Sequence, residues 1–131
     1  MKGSYVLLVL IPRYLEIQIG KKFRYNFKKG YYAYVGSALN GLEQRINRHL
    51  SSNKKYHWHI DYLLDYGHIT DIFYMKSNRR EECNIASIFA SSLQGIKGFG
   101  CSDCKCYSHL FYGSRDEILS ILKKLDMKRF L

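Results

Sequence analysis

The chain has 131 residues, 47% hydrophobic and 15% aromatic, and its 21 Lys+Arg against 11 Asp+Glu leave a formal net charge of +10. That length holds one domain, over 1–131, and enough apolar side chains to fill a core, which excludes extensive disorder. The charge favours a polyanionic partner, nucleic acid before an anionic surface or an acidic protein, and the longest apolar run, Val6 to Ile11, falls far short of the roughly 20 residues that span a bilayer, so a cytoplasmic protein without a membrane partner is expected.

Ser4 to Ile11 is apolar and β-branched and reads as a central strand. After Pro12-Arg13, Leu15, Ile17 and Ile19 alternate with polar residues, and so do Phe23, Tyr25 and Phe27 beyond the turn Gly20-Lys21-Lys22. This period of two predicts a half-buried hairpin at the amino end. Lys28-Lys29-Gly30 turns into a tyrosine-rich strand, Tyr31 to Val35, and Gly36-Ser37-Ala38 leads on to a helix. On that helix Leu42, Ile46 and Leu50 recur every four residues and are expected to face the core. Arg45 and His49 form a second stripe about 60° away, at the border of core and solvent. Arg48 lies on another line and reads as a surface charge.

A helix is predicted over His57 to Tyr66, stopped by Gly67, and a strand over Ile69 to Met75. Asn78 is placed to cap a helix from Arg79 to Leu93 whose buried line is Ile85, Phe89 and Leu93. Glu82 lies on or beside that line, whereas Glu81 points elsewhere. Gly95 to Cys106 is a glycine- and cysteine-rich loop, and Ser108 to Tyr112 a short strand. Ser114 and Glu117 form a capping box that starts a final amphipathic helix through Ile118, Ile121 and Leu122, and the tail from Met127 is expected to fray. The class is therefore α/β: a small antiparallel or mixed β-sheet flanked by helices, with an extra amino-terminal hairpin.

Hydrolysis of a phosphodiester needs an oriented water, neutralisation of charge on the phosphoryl oxygens and stabilisation of the leaving oxygen. Arginine suits the second task, because its fork stays charged and matches phosphate. A carboxylate on a rigid helix suits Mg²⁺, which keeps several waters and takes few protein oxygens. A tyrosine beside a metal-bound water and a cationic arginine can orient or deprotonate that water. Tyr34, Arg45 and His49 are delivered to one neighbourhood by a strand and the helix that follows it.

Gly3-Ser4-Tyr5 and Tyr34-Val35-Gly36, followed by Ser37-Ala38, Glu43-x-Arg45 and Arg45-x-x-x-His49, resemble the paired tripeptides and first helix of the GIY-YIG nuclease superfamily. Ser4 stands where that family usually has isoleucine. Lys55-x-x-Trp58-His59-Ile60-Asp61-Tyr62 and Asp103-Cys104-x-Cys106-x-Ser108-His109-Leu110 are similar to an archaeal and bacterial subgroup in which some members are fused to base-excision repair glycosylases. The resemblance implies a Mg²⁺-dependent DNA endonuclease, with Mn²⁺ as a substitute metal, acting on duplex, branched or damaged DNA. A homodimer or a repair protein would then supply specificity. It implies that Tyr5 and Tyr34 orient or deprotonate the water, Arg45 holds the phosphate, His49 assists proton transfer and Glu82 ligates the metal. The alternative is a non-catalytic nucleic-acid-binding module that keeps the nuclease fold.

Lys55, His57 and His59 are candidates for phosphate contact at the rim, set against the plainer reading of a helix with surface histidines. Of the four cysteines, Cys101, Cys104 and Cys106 lie within six residues, too close for a disulfide framework. With His109 they make four potential zinc ligands, but structural zinc sites usually draw ligands from two separated clusters. A loop packed by small thiols, or one touching substrate through Asp103 and His109, is preferred.

Overall fold

A computed structural model of the protein describes residues 1–101 and 104–131. In chain order its elements are β1 (Gly3–Ile11), β2 (Leu15–Ile19), β3 (Phe23–Phe27), β4 (Gly30–Ala38), α1 (Leu42–Leu50), α2 (His59–Leu63), β5 (His68–Lys76), α3 (Glu82–Ala90), β6 (Gln94–Gly95), β7 (Leu110–Gly113), α4 (Arg115–Lys124) and β8 (Lys128–Arg129). β1 is apolar on both faces and lies inside a sheet, paired antiparallel with β4 on one side and β5 on the other. The whole sheet is antiparallel, in the order β6-β7-β4-β1-β5-β8. The architecture is the expected α/β one, a six-stranded antiparallel sheet flanked by helices beside a small separate hairpin.

Alternation along β1 divides the interior. Tyr5, Leu7, Val9 and Ile11 face a core shared with Leu42 and Ile46 of α1, Ile60 and Leu63 of α2, and the inward residues of the hairpin. Val6 and Leu8 face a second core built on Ile85 and Phe89 of α3 and Ile118 and Leu122 of α4. The hairpin strands β2 and β3 pair only with each other and do not extend the main sheet. Their alternating faces bury Leu15, Ile17, Ile19, Tyr25 and Phe27 as a lid over the first core.

Four expectations are corrected. Leu50 does not face the core; it is 44% exposed, because by the end of α1 the chain is turning away and His49 takes the inward place. The second helix is much shorter than expected. The Asp61 carboxylate reaches back to accept from the backbone N–H groups of His57 (2.8 Å) and Trp58 (3.0 Å), so the helix cannot begin before residue 59. α3 begins three residues later than expected: Ser77 Oγ accepts from Arg79 N in a turn, and the first helical carbonyl is that of Glu81. The tail does not fray. β8 pairs with β5, Phe130 N donates to Ile72 O (2.7 Å), and Arg129 Nη1 reaches buried Asp71 at 2.8 Å, where Arg115 Nη2 also binds. The Ser114–Glu117 capping box forms as expected.

Candidate active site

β1 and β4 pair so that Tyr5 stands opposite Gly36. A Cβ on Gly36 would lie 2.3 Å from Tyr5 Cζ and 2.4 Å from its oxygen. The glycine is therefore the floor on which the Tyr5 ring rests, the physical reason for a glycine two residues after Tyr34. Gly3 answers a different constraint, since a Cβ there would lie 2.0 Å from Met75 O across the sheet.

Tyr5 Oη and His49 Nε2 are 2.6 Å apart, a buried hydrogen bond between β1 and α1. Burial pushes Tyr5 above the usual phenol range, with the Arg45 charge pulling the other way. Burial also pushes His49 down, to about 3, against the attraction of Asp61. Both groups are thus neutral at pH 7. In one tautomer Tyr5 donates to His49 and offers lone pairs outward; in the other His49 donates and the phenol turns its proton outward. His49 Nδ1 is buried without a hydrogen-bond partner among the described residues. Tyr34 stands edge-on to His49, with ring centroids 6.1 Å apart, and burial raises its pKa well above the ordinary value.

Arg45 is held from two sides. Its Nη1 donates to Ser37 O (3.0 Å), and its guanidinium carbon lies 4.4 Å from the centroid of the Trp58 ring. Arg48 lies over the same ring, at 4.3 Å. It is not the free surface charge expected: Nη1 and Nη2 grip the two oxygens of Asp61 at 2.9 and 3.0 Å. Asp61 is fully buried (0% exposed). Burial alone would raise its carboxyl; the hydrogen bonds from Arg48, Trp58 and His57 outweigh that and hold it below the usual carboxylate range. Arg48 and Asp61 thus tie α1 to α2 and set Trp58 beneath Arg45.

These groups surround one cavity of about 690 Å³. Tyr5, Tyr34, Arg45, His57, His59 and Glu82 all line it, whereas Glu81 does not. Glu82 reaches it because α3, which packs on the far face of the sheet, begins at the sheet's end. Its Oε1 lies 3.4 Å from Arg80 Nη1, and Glu81 instead accepts from Asn84 Nδ2 at 2.9 Å. His49 stands behind Tyr5 rather than on the wall. His59 lines the cavity but is also structural, its Nδ1 accepting from Gly100 N at 3.0 Å. Lys55 is not among the lining residues; its side chain is exposed and its carbonyl accepts from Arg48 at 2.7 Å. His109 also lines the cavity. Asp103 lies outside the described residues.

A second group of ligating atoms adjoins the first. Cys83, Cys104, Cys106 and His109 each turn one such atom to a common point, all within 4.8 Å of one another, a Cys₃His group that could hold a metal ion. The expected set contained Cys101, and the structure replaces it with Cys83 from α3; Cys101 Sγ donates to Phe99 O at 3.4 Å. No feature of sequence spacing points to Cys83, whose nearest partner in the cluster is more than twenty positions away. Arg80, Trp58 as a stacking platform and the Arg48–Asp61 tie were equally invisible, since each depends on which elements meet. No helix among the described residues is long and apolar enough to cross a membrane.

Residues 4–129 match the family model described as a domain of unknown function, DUF123. Comparison with curated proteins and with solved structures gives no match.

Proposed function

The chain belongs to the DUF123 family, and from the geometry of its cavity we propose that it is a divalent-metal-dependent endonuclease that hydrolyses phosphodiester bonds in DNA. The observation that carries the reading is the convergence of two tyrosines, one buttressed arginine and one carboxylate on a single cavity, with an imidazole bonded directly behind one phenol. The resemblance of these same residues to the GIY-YIG pattern supports it, and so does the net charge of +10.

Arg45 is the phosphate-holding group. Its Ser37 and Trp58 contacts fix the fork before substrate arrives, so little side-chain entropy is lost on binding. Tyr5 orients the attacking water. With its own proton donated to His49 Nε2, the phenol oxygen presents only lone pairs to the cavity, and it accepts a hydrogen bond from that water. The reading therefore requires the tautomer of His49 protonated at Nδ1. Tyr34 closes the other side of the water's position. His57 and Arg80 supply rim contacts to flanking phosphates.

Glu82 suits Mg²⁺. It is a carboxylate lining a cavity roomy enough for the waters that this ion retains, and its partner Arg80 is an exposed side chain free to swing away. A divalent ion there would supply charge for the leaving oxygen. The neighbouring thiols are too soft to serve it. The test is a cleavage screen in Mg²⁺ and Mn²⁺ over single-stranded, duplex, flap, branched and lesion-bearing DNA, and RNA. Metal-dependent cutting that disappears in Glu82→Ala supports the reading. Salt-sensitive binding with every substrate left intact replaces it with a non-catalytic binding module.

A further inference from the structure

The structure assigns a second metal site, of different chemistry, to Cys83, Cys104, Cys106 and His109: we propose that these four hold a structural Zn²⁺ that fastens the loop before β7 to the first turn of α3. The inference does not depend on the nuclease reading.

Three observations carry it. The first is donor chemistry. Three thiols and one imidazole form a closed set of four, the complement of a structural zinc site with no open position. The second is distance. Tetrahedral coordination with Zn–S of about 2.3 Å and Zn–N of about 2.0–2.1 Å separates a sulfur from a nitrogen by ~3.6 Å and two sulfurs by ~3.8 Å. His109 Nε2 lies 3.5 Å from Cys104 Sγ and 3.9 Å from Cys83 Sγ. All the ligand atoms fall within 4.8 Å of one another, so side-chain rotations of under about 1 Å complete the tetrahedron. The third is topology. The loop cluster alone is too compact for a usual zinc site, and Cys83 resolves the difficulty by bringing the second ligand segment from another element.

The rest of the fold holds the site ready for a metal. His109 is buried, its backbone N donating to Phe99 O and its carbonyl accepting from Val35 N, both at 2.9 Å. Gly100 packs against its Cβ with a φ of +74°, a conformation that favours glycine. An ion at this point joins α3 to the loop that leads into β7. Binding deprotonates the three thiols and releases those protons to solvent.

The experiment is metal analysis of the full chain, purified without chelator from zinc-supplemented cells, together with absorption spectra after Co²⁺ replacement. The expected result is one zinc per chain, and a cobalt form with intense tetrahedral d–d bands and thiolate-to-cobalt charge transfer. Cys83→Ser and Cys106→Ser lose the zinc at least tenfold, while Cys101→Ser retains it. Hydrogen exchange at residues 82–86 and 104–109 of wild-type protein rises on zinc removal. Wild-type protein with neither zinc nor the cobalt bands overturns the proposal without reference to any variant. So does zinc that survives Cys83→Ser but is lost in Cys101→Ser.

Discussion

Gly36→Ala tests the claim that this glycine exists to seat Tyr5. The added methyl would lie 2.3 Å from Tyr5 Cζ, while carbon atoms in contact prefer about 3.5–4.0 Å. The ring must therefore retreat by more than ~1 Å or the strands must part. Tyr5 is 1% exposed and its hydroxyl is 2.6 Å from His49, so the ring cannot shift toward α1 without disturbing that bond. Overpacking of this kind costs about 1–3 kcal/mol. Losing the Tyr5–His49 bond inside the core adds about 1–2 kcal/mol. The sum, ~2–5 kcal/mol, corresponds for a domain of this size to a fall in Tm on the order of 10 °C. Urea and thermal unfolding followed by circular dichroism read it directly. In a Tyr5→Ala background the clash disappears, and Gly36→Ala then costs under about 1 kcal/mol. A Gly36→Ala protein within 0.5 kcal/mol (roughly the scatter of surface substitutions) of wild type refutes the reasoning. An undiminished cost in the Tyr5→Ala background refutes it equally.

Two further predictions concern pH. His49 is neutral in the fold, with its pKa pushed down to about 3, whereas the unfolded chain takes up a proton near the ordinary value of about 6.5. The unfolded state then binds more protons as pH falls below about 6.5, so stability drops on acidification, by ~2 kcal/mol from this residue at pH 5. His49→Gln should flatten the stability profile between pH 7 and 5, and a profile unchanged by the substitution is the contrary result. Asp61 shifts in the same direction for a different reason, its charged form being held by hydrogen bonds: its folded pKa is depressed, so its contribution is present above the unfolded value of about 3.9 and is lost as pH falls through the folded one. Asp61→Asn should cost about 3–5 kcal/mol at pH 7 by stranding Arg48, and the gap to wild type should narrow as pH falls below the unfolded carboxyl value of about 3.9; a constant gap contradicts the ion-pair account.

The sequence made some elements legible and hid others for physical reasons. The hairpin over Leu15–Ile19 and Phe23–Phe27 was readable because a period of two is local, and so was the Ser114 capping box, which needs only residues three apart. That the hairpin would close over one core instead of widening the sheet was not readable, since it depends on β1 choosing β4 and β5 as neighbours. The same distinction runs through the site. Tyr5, Tyr34, Arg45 and Glu82 carry residue types suited to one chemistry, and the fold brings them to one cavity. Arg48 read as solvent-facing because its partner, Asp61, belongs to another helix. Cys83 falls outside the expected ligand set because its partners are in a loop that only the tertiary fold brings to α3. Lys55 is close to Trp58 in sequence, yet its side chain is exposed and is not among the residues lining the cavity.

The central claim is that Arg45 and Glu82 act together on a phosphodiester, and one comparison tests it most directly. Wild type, Arg45→Ala, Glu82→Ala and Glu81→Ala are assayed for cleavage in Mg²⁺ on the best substrate from the screen, each checked for folding by circular dichroism. Arg45→Ala and Glu82→Ala are predicted to lose at least about 10²-fold in rate while folded. Glu81→Ala, whose carboxylate faces Asn84 and not the cavity, is predicted to cut as wild type does. Undiminished cutting by folded Glu82→Ala or Arg45→Ala, or loss confined to Glu81→Ala, contradicts the account.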